Sequence, residues 1–445
     1  MIKLLIVFFL VKQLTPPAPD VVVKRAAEYM QARLKVSKFC GTVMVARDGK
    51  PLFANAYGMA NFEHDVPNTS NTKFRLASVS KQFTAAGIMI LEAEGKLKVE
   101  DTVSKHLPNV PEKWKDVTIH QLMSHTSGVP ENLQKALVKG MWPQPIDKDR
   151  LFEHIKDAPL DFKPGEKWSY SNTGYALLGQ IIEKLTGTAY GDFLKMRIFE
   201  PLEMNDTGID NRRLVLKNRA NNYGMALGQT VHAVHIDLSQ VFSAGSMYST
   251  VGDLLKWDNA LFTDKLLPQS SLARMWTPVK NGYGYGWMIE NRLGRERVLH
   301  TGGLPGCNTI VIRHPRSRVF VALLCNLEGS AIDVVSRDLA AIAHGDLYDV
   351  PAQRVEAKID VKLLDAYVGE YELRPKFAIQ VAKEGERLTA KFPNQPKLIL
   401  IPESDMKFFT RAAELTVQFQ KDEKGKVTGL VVHNVGRDQK WEKVK

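Results

Sequence analysis

The strand-like runs of the first 345 residues fall into two groups at opposite ends, and this separation constrains the fold more than any other feature. Gly41–Ala46 and Pro51–Tyr57 flank Arg47-Asp48-Gly49, a hairpin signal. The second group comprises Tyr283–Trp287, Arg295–Leu299, Asn308–Arg313 and Val319–Cys325, split by Gly and Pro turns. Between the groups, from about Ser78 to Leu272, most periodic segments are helical. Further helices are predicted over Asp20–Leu34 and Ala331–His344. Strands and helices that do not alternate as βαβ units predict an α+β domain. Its sheet is antiparallel, drawn from both ends, flanked by helices, with a helical lobe inserted in the middle.

The pattern changes after about residue 350. No helical period runs from Gly369 to Val444. Short β-prone runs replace it: Ile379–Ala382, Leu388–Phe392, Leu398–Ile401, Lys407–Thr410, Leu415–Phe419 and Val427–His433. Closely spaced short strands with turn signals predict a small C-terminal all-β domain, barrel-like or a sandwich. The expected organisation is a signal peptide and leader over 1–19, a main domain over 20–345, a linker over 346–361 and the barrel-like domain over 362–445. The leader reading rests on Lys3 followed by the apolar run Leu4–Val11. That run is too short to span a bilayer. It predicts an exported protein, periplasmic or secreted, with no stable membrane span in the mature chain.

Charge and cysteine usage narrow the partners. The net charge is +11, but the basic residues are dispersed and no recognition motif accompanies them. Nucleic acid is therefore not an expected partner. Cys40, Cys307 and Cys325 lack metal-ligand spacing, and an odd count argues against a disulfide framework. Buried thiols and a single disulfide both stay open. His232-Ala-Val-His235 has no Glu between its histidines and no third ligand, so no metal and no cofactor are expected. The absence of Gly-x-Ser-x-Gly argues against an α/β-hydrolase.

Three short stretches carry chemistry. Ser78-Val79-Ser80-Lys81 heads an apolar helical run, where positions three apart share a face. A serine hydroxyl needs a neighbouring base to become a nucleophile. A desolvated lysine can lose its proton and serve as one. In Trp168-Ser-Tyr170-Ser-Asn172-Thr-Gly-Tyr175, Tyr170 and Asn172 stand just before a helix. Asn172 is expected either to cap that helix or to donate to a substrate carbonyl. Tyr170 either packs, or exchanges protons if ammonium groups lower its pKa from about 10. Leu299-His300-Thr301-Gly302-Gly303 ends a strand, and its glycines allow close backbone approach. Amides there could form an oxyanion hole with that of Ser78.

The three motifs, in this order and 92 and 130 residues apart, resemble those of the penicillin-recognising serine hydrolases. That family includes class C β-lactamases, DD-peptidases and esterase and aminopeptidase relatives. Leu122–Pro130, Phe242-Ser-Ala-Gly245, Ser249-Thr-x-x-Asp253-Leu254 and Tyr283-Gly-Tyr-Gly-Trp287 also look like the family. The resemblance covers about residues 25–345 and implies a β-lactamase/transpeptidase-like fold. It implies that Ser78 attacks a carbonyl and becomes acylated, while Lys81 and Tyr170 move protons. Amides of Ser78 and Gly303 would hold the oxyanion. Asn172 would orient the acyl group, and His300, Thr301 and Gly302 would line the opposite wall. His300 departs from the lysine usual in β-lactamases and DD-peptidases. Unperturbed histidine is largely neutral at pH 7, which favours esters or small peptides over β-lactams.

The resulting reading is a serine hydrolase acting through an acyl-enzyme on small-molecule or peptide substrates. A penicillin-binding sensor acylated without turnover and a catalytically silent scaffold are the other readings. The polar segment Val129–Arg150, with Trp142, Pro143 and Pro145, is expected at the cleft rim. The oligomeric state is not set by these features.

Overall fold

The computed structural model describes residues 16–444, apart from 132–139, 141–142, 148–149, 151–156, 227–228, 293, 352–353, 375–376, 394–396, 411–414 and 435–436. The expected signal peptide, except residues 16–19, and most of the expected rim, Trp142 included, lie outside the described residues. The chain divides into two compact units. One is Ser37–Leu347 with the described residues up to Met30; the other begins at Tyr348 and includes Gln31–Val36.

The first unit starts in helix α1 (Pro19–Val36) and the hairpin β1 (Gly41–Arg47) and β2 (Lys50–Tyr57). Asp48 and Gly49 turn that hairpin at positive φ, 51° and 75°. Helix α2 (Lys81–Ala93) is buried over residues 81–91, and Phe83 packs on Trp257 with centroids 4.7 Å apart. Helix α3 (Asn172–Thr186) ends at Gly187 in the left-handed conformation, as a C-terminal glycine stop predicts. Strands β3 (Met288–Arg292), β4 (Arg295–Leu304), β5 (Cys307–His314) and β6 (Val319–Cys325) follow, then helix α4 (Ile332–His344).

These strands form one sheet in the order β3-β4-β5-β6-β1-β2. The two ends of the domain meet where β1 pairs antiparallel with β6, Gly41 opposite Cys325 and Arg47 opposite Val319. Strand β6 is buried along its whole length, which its unbroken apolar run reflects. The antiparallel sheet with inserted helices is the expected α+β arrangement.

Tyr283–Trp287 departs from expectation. It is a loop, with Gly286 at φ 77°, and not a strand. Its Tyr-Gly-Tyr-Gly-Trp alternation imitates a strand period, but the glycines bend the chain so that Tyr283, Tyr285 and Trp287 all turn inward.

In the second unit a 3-10 helix, Val361–Tyr367, precedes a closed barrel of eight antiparallel strands. These are β7 (Gly369–Arg374), β8 (Phe377–Glu384), β9 (Arg387–Lys391), β10 (Lys397–Pro402), β11 (Lys407–Phe409), β12 (Leu415–Lys421), β13 (Val427–Asn434) and β14 (Arg437–Lys443). Strand β7 pairs with β14 to close it. Six strands were legible as β-prone runs. The two closing strands were not, because Tyr371 and Trp441 are their only large buried side chains. Tyr367 stacks on Phe419 inside the barrel core, centroids 4.2 Å apart.

Candidate active site

Ser78 does not lie on a regular α-helix, as its spacing suggested. It sits on a 3-10 turn, Ala77–Ser80, and Lys81 is the first residue of α2. Three residues make one turn there, so positions i and i+3 stand in line. Lys81 Nζ lies 3.1 Å from Ser78 Oγ. Ala77, just before Ser78, takes a left-handed φ of 48°, a strained position for a residue with a Cβ.

The sheet holds this turn in place. Thr309 Oγ1 on β5 donates to the Leu76 carbonyl at 2.8 Å, and Cys307 Sγ donates to that of Arg75 at 3.0 Å. Gly302 on β4 runs so close that a Cβ there would overlap the Leu76 carbonyl oxygen and Thr309 Oγ1. Glycine at 302 is thus a packing requirement of the Ser78 turn. Gly303, the proposed oxyanion donor, is exposed with nothing within 4 Å of a Cβ position. Thr301, half-buried, pairs with Ile310.

Lys81 is fully buried, and Nζ reaches three acceptors: Ser78 Oγ, Asn172 Oδ1 at 2.8 Å and the Ala244 carbonyl at 2.8 Å. Burial pulls its pKa down to about 7, with the Glu131 carboxylate opposing. A neutral amine fits the same geometry. Its two N–H groups serve the two carbonyl oxygens, and its lone pair faces the Ser78 hydroxyl.

Ser171, not Asn172, caps α3: its Oγ accepts from the Gly174 amide at 3.2 Å. Asn172 is left to project. Its Oδ1 faces Lys81, while its backbone N–H and its Nδ2 donate to Glu131 at 2.5 and 3.2 Å. Tyr170 is close enough to Ser78 for the serine hydroxyl to influence its pKa, and its ring lies 4.8 Å from Lys81 Nζ. Its pKa does not fall as the ammonium argument required. Burial raises it, so the phenol keeps its proton at neutral pH.

His300 is 2% exposed. Its Nδ1 donates to the Thr301 carbonyl at 2.6 Å and its Nε2 accepts from the Tyr283 hydroxyl at 2.9 Å. Burial first, then Lys81, lowers its pKa to about 3. His300 is therefore a neutral residue with both nitrogens occupied.

The motifs Ser78/Lys81 and Tyr170/Asn172 converge directly, and His300 joins them through rings, 6.4 Å from Tyr170 between centroids. Sequence reasoning missed Glu131, Ala244 and His125. Ala244 and His125 sit in stretches already singled out as family-like, and Glu131 follows one of them directly. Their contacts with the motif residues lie 41 to 163 residues away in sequence, which no local period marks. Elsewhere, His232 pairs with Glu63 at 2.9 Å, and the three cysteines are buried free thiols. Thr250 caps the helix Val251–Ala260. Among the described residues no group of three or more His, Cys, Asp or Glu is arranged to hold a metal ion, and no helix is long and apolar enough to cross a membrane.

A six-stranded antiparallel sheet with inserted helices, and a Ser-x-x-Lys turn held against one of its strands, define a protein of the penicillin-recognising serine hydrolase class. The chain belongs to the Beta-lactamase family, which its residues 26–345 match. Residues 353–443 match a domain of unknown function. Penicillin-binding protein 4* of Bacillus subtilis (strain 168) is 35% identical over 411 residues, covering 86% of this chain and 90% of that protein. The octameric penicillin-binding protein homologue from Pyrococcus abyssi shares the fold, with a TM-score of 0.70 at 23% identity over 94% of this chain and all of that one. A D-stereospecific amidohydrolase from Streptomyces sp. superposes with a TM-score of 0.62 at 26% identity, over 72% of this chain and 98% of that one.

Proposed function

We propose that this protein is a serine hydrolase that forms a covalent acyl-enzyme with small amides, peptides or esters. One observation carries the reading: a fully buried lysine with a pKa of about 7 stands 3.1 Å from a serine hydroxyl at the head of a helix. Neutral Lys81 takes the Ser78 proton as Oγ bonds to the substrate carbonyl carbon. The oxyanion is held by the backbone amides of Ser78 and Gly303. Lys81 returns the proton through the Tyr170 hydroxyl to the leaving nitrogen or oxygen, and the bond from that atom to the acyl carbon breaks. A water then gives its proton along the same path to Ser78 Oγ, its oxygen bonds to the acyl carbon, and the acid leaves. Tyr170 passes protons as a neutral phenol, in keeping with its raised pKa.

The substrate reading follows from charge. Of the residues in the three motifs only Lys81 is a strong base, and His300 is neutral and occupied. A substrate carboxylate finds no fixed cation among these residues, which favours neutral esters and amides over β-lactams. The amidohydrolase likeness supports the same direction. Export, expected from the N-terminal run, belongs to this reading.

Turnover of a nitrophenyl ester, a chromogenic cephalosporin and a D-amino-acid amide, with Ser78→Ala as control, tests the proposal. The expected result is ester or amide turnover, lost in Ser78→Ala, with a Ser78-linked acyl adduct by mass spectrometry. Unchanged turnover in Ser78→Ala overturns the mechanism. A stoichiometric adduct without turnover would make the protein a sensor.

A further inference from the structure

The stretch Ser124-His-Thr-Ser-Gly128 builds the surface on which the Tyr170 segment lies. Main-chain bonds run between them: Asp161 N–H to the Gly128 carbonyl at 2.8 Å, Gly165 to Thr126 at 2.7 Å and Ser169 to His125 at 3.0 Å. The next bond comes from a side chain. The Ser171 N–H donates to His125 Nδ1 at 3.1 Å. His125 therefore brackets Tyr170, accepting from the residue before it with its carbonyl and from the residue after it with its ring. That ring lies on the Tyr170 ring, centroids 4.3 Å apart.

This placement is costly. His125 is 1% exposed, its φ of 59° is left-handed, and its buried Nε2 has no hydrogen-bond partner among the described residues. An orphaned buried polar group is destabilising. An apolar side chain would avoid that cost, so packing alone does not account for an imidazole here. The acceptor at Nδ1 does, because the Ser171 N–H lies at the start of α3 and is otherwise unmet.

We infer that His125 is the positioning residue for Tyr170: its carbonyl and Nδ1 together fix the short segment that aims the phenol at Ser78. This rests on the acyl-enzyme reading above. His125 touches neither substrate nor the reacting atoms in that reading; it acts through Tyr170.

Four variants of the full chain test it: His125→Leu, His125→Asn, Tyr170→Phe and the Tyr170→Phe/His125→Leu double. Asparagine can present Oδ1 where Nδ1 stands and tolerates the left-handed backbone. With a nitrophenyl ester, His125→Leu should lower kcat by about 10- to 100-fold with KM within about twofold, because misaiming a catalytic group by an ångström costs that order. His125→Asn should stay within about threefold of wild type. In the Tyr170→Phe background, His125→Leu should cost less than about twofold, since residues acting through one another are non-additive. Wild-type kcat in His125→Leu, a loss confined to KM, or the full loss repeated in the Tyr170→Phe background overturns the inference. If His125→Leu does not fold, His125→Gln replaces it: its longer amide misses the Nδ1 position, and equal kcat for Asn and Gln overturns the inference. Absence of a Ser78 acyl adduct in the wild type overturns the hydrolase reading and this inference together, whereas an adduct with indifferent His125 variants overturns only the latter.

Discussion

Glu131 and Lys81 hold opposite ends of one amide: Asn172 Nδ2 donates to the carboxylate at 3.2 Å, and Asn172 Oδ1 accepts from the amine at 2.8 Å. The carboxylate favours the protonated lysine and so works against burial. Glu131→Gln removes that charge and should let Lys81 lose its proton more readily. The acid limb of kcat/KM for a neutral ester should then move down by about half a pH unit or more. A pH profile from 5 to 9 measures this, and an upward move contradicts it.

The same lysine should set the pH dependence of the wild type. Its folded pKa of about 7 means that the base form grows as pH rises through neutrality. Ester turnover should fall about tenfold per pH unit below that point and level off above it. Lys81→Met keeps apolar bulk but removes the base. Acylation should drop by about 10³-fold and lose its acid limb, as stopped-flow rates would report.

Adjacent glycines should behave differently. Gly302→Ala forces a methyl into the Leu76 carbonyl and Thr309 and should push the Ser78 turn off the sheet. It should cost about 2 kcal/mol of stability and most of the activity. Gly303→Ala meets open space and should change stability by less than about 0.5 kcal/mol. Thermal melts of both proteins make the comparison, and equal losses would contradict it.

His300→Lys tests the charge argument. The substitution replaces a neutral, fully bonded imidazole with a cation beside Tyr283. Carboxylate-bearing cephalosporins should gain about tenfold relative to the neutral ester, while the desolvated ammonium lowers the melting temperature. An unchanged ratio of the two rates counts against the argument.

Much of this arrangement was legible in the chain. The two strand groups predicted the sheet, and six apolar runs predicted most of the barrel. Ser78, Lys81, Tyr170, Asn172 and His300 carry recognisable motifs. What escaped had no local mark. The closing strands of the barrel are mostly polar, and Tyr283–Trp287 alternates like a strand while folding as a loop. The fall in Tyr170 pKa was argued from the ammonium alone, and burial outweighed it.

The sequence by itself determined the α+β class, the barrel-like second unit and the three motifs that meet in the candidate site, because hydrophobic period and motif spacing are local properties. Only the tertiary structure decided their state. The Lys81 pKa is pulled down to about 7 because the fold buries the amine completely. His300 is neutral because burial, and then Lys81, lowers its pKa, and Tyr170 is held from both sides by His125. Desolvation and hydrogen bonding between distant segments set these properties, and neither is written in any one stretch of the chain.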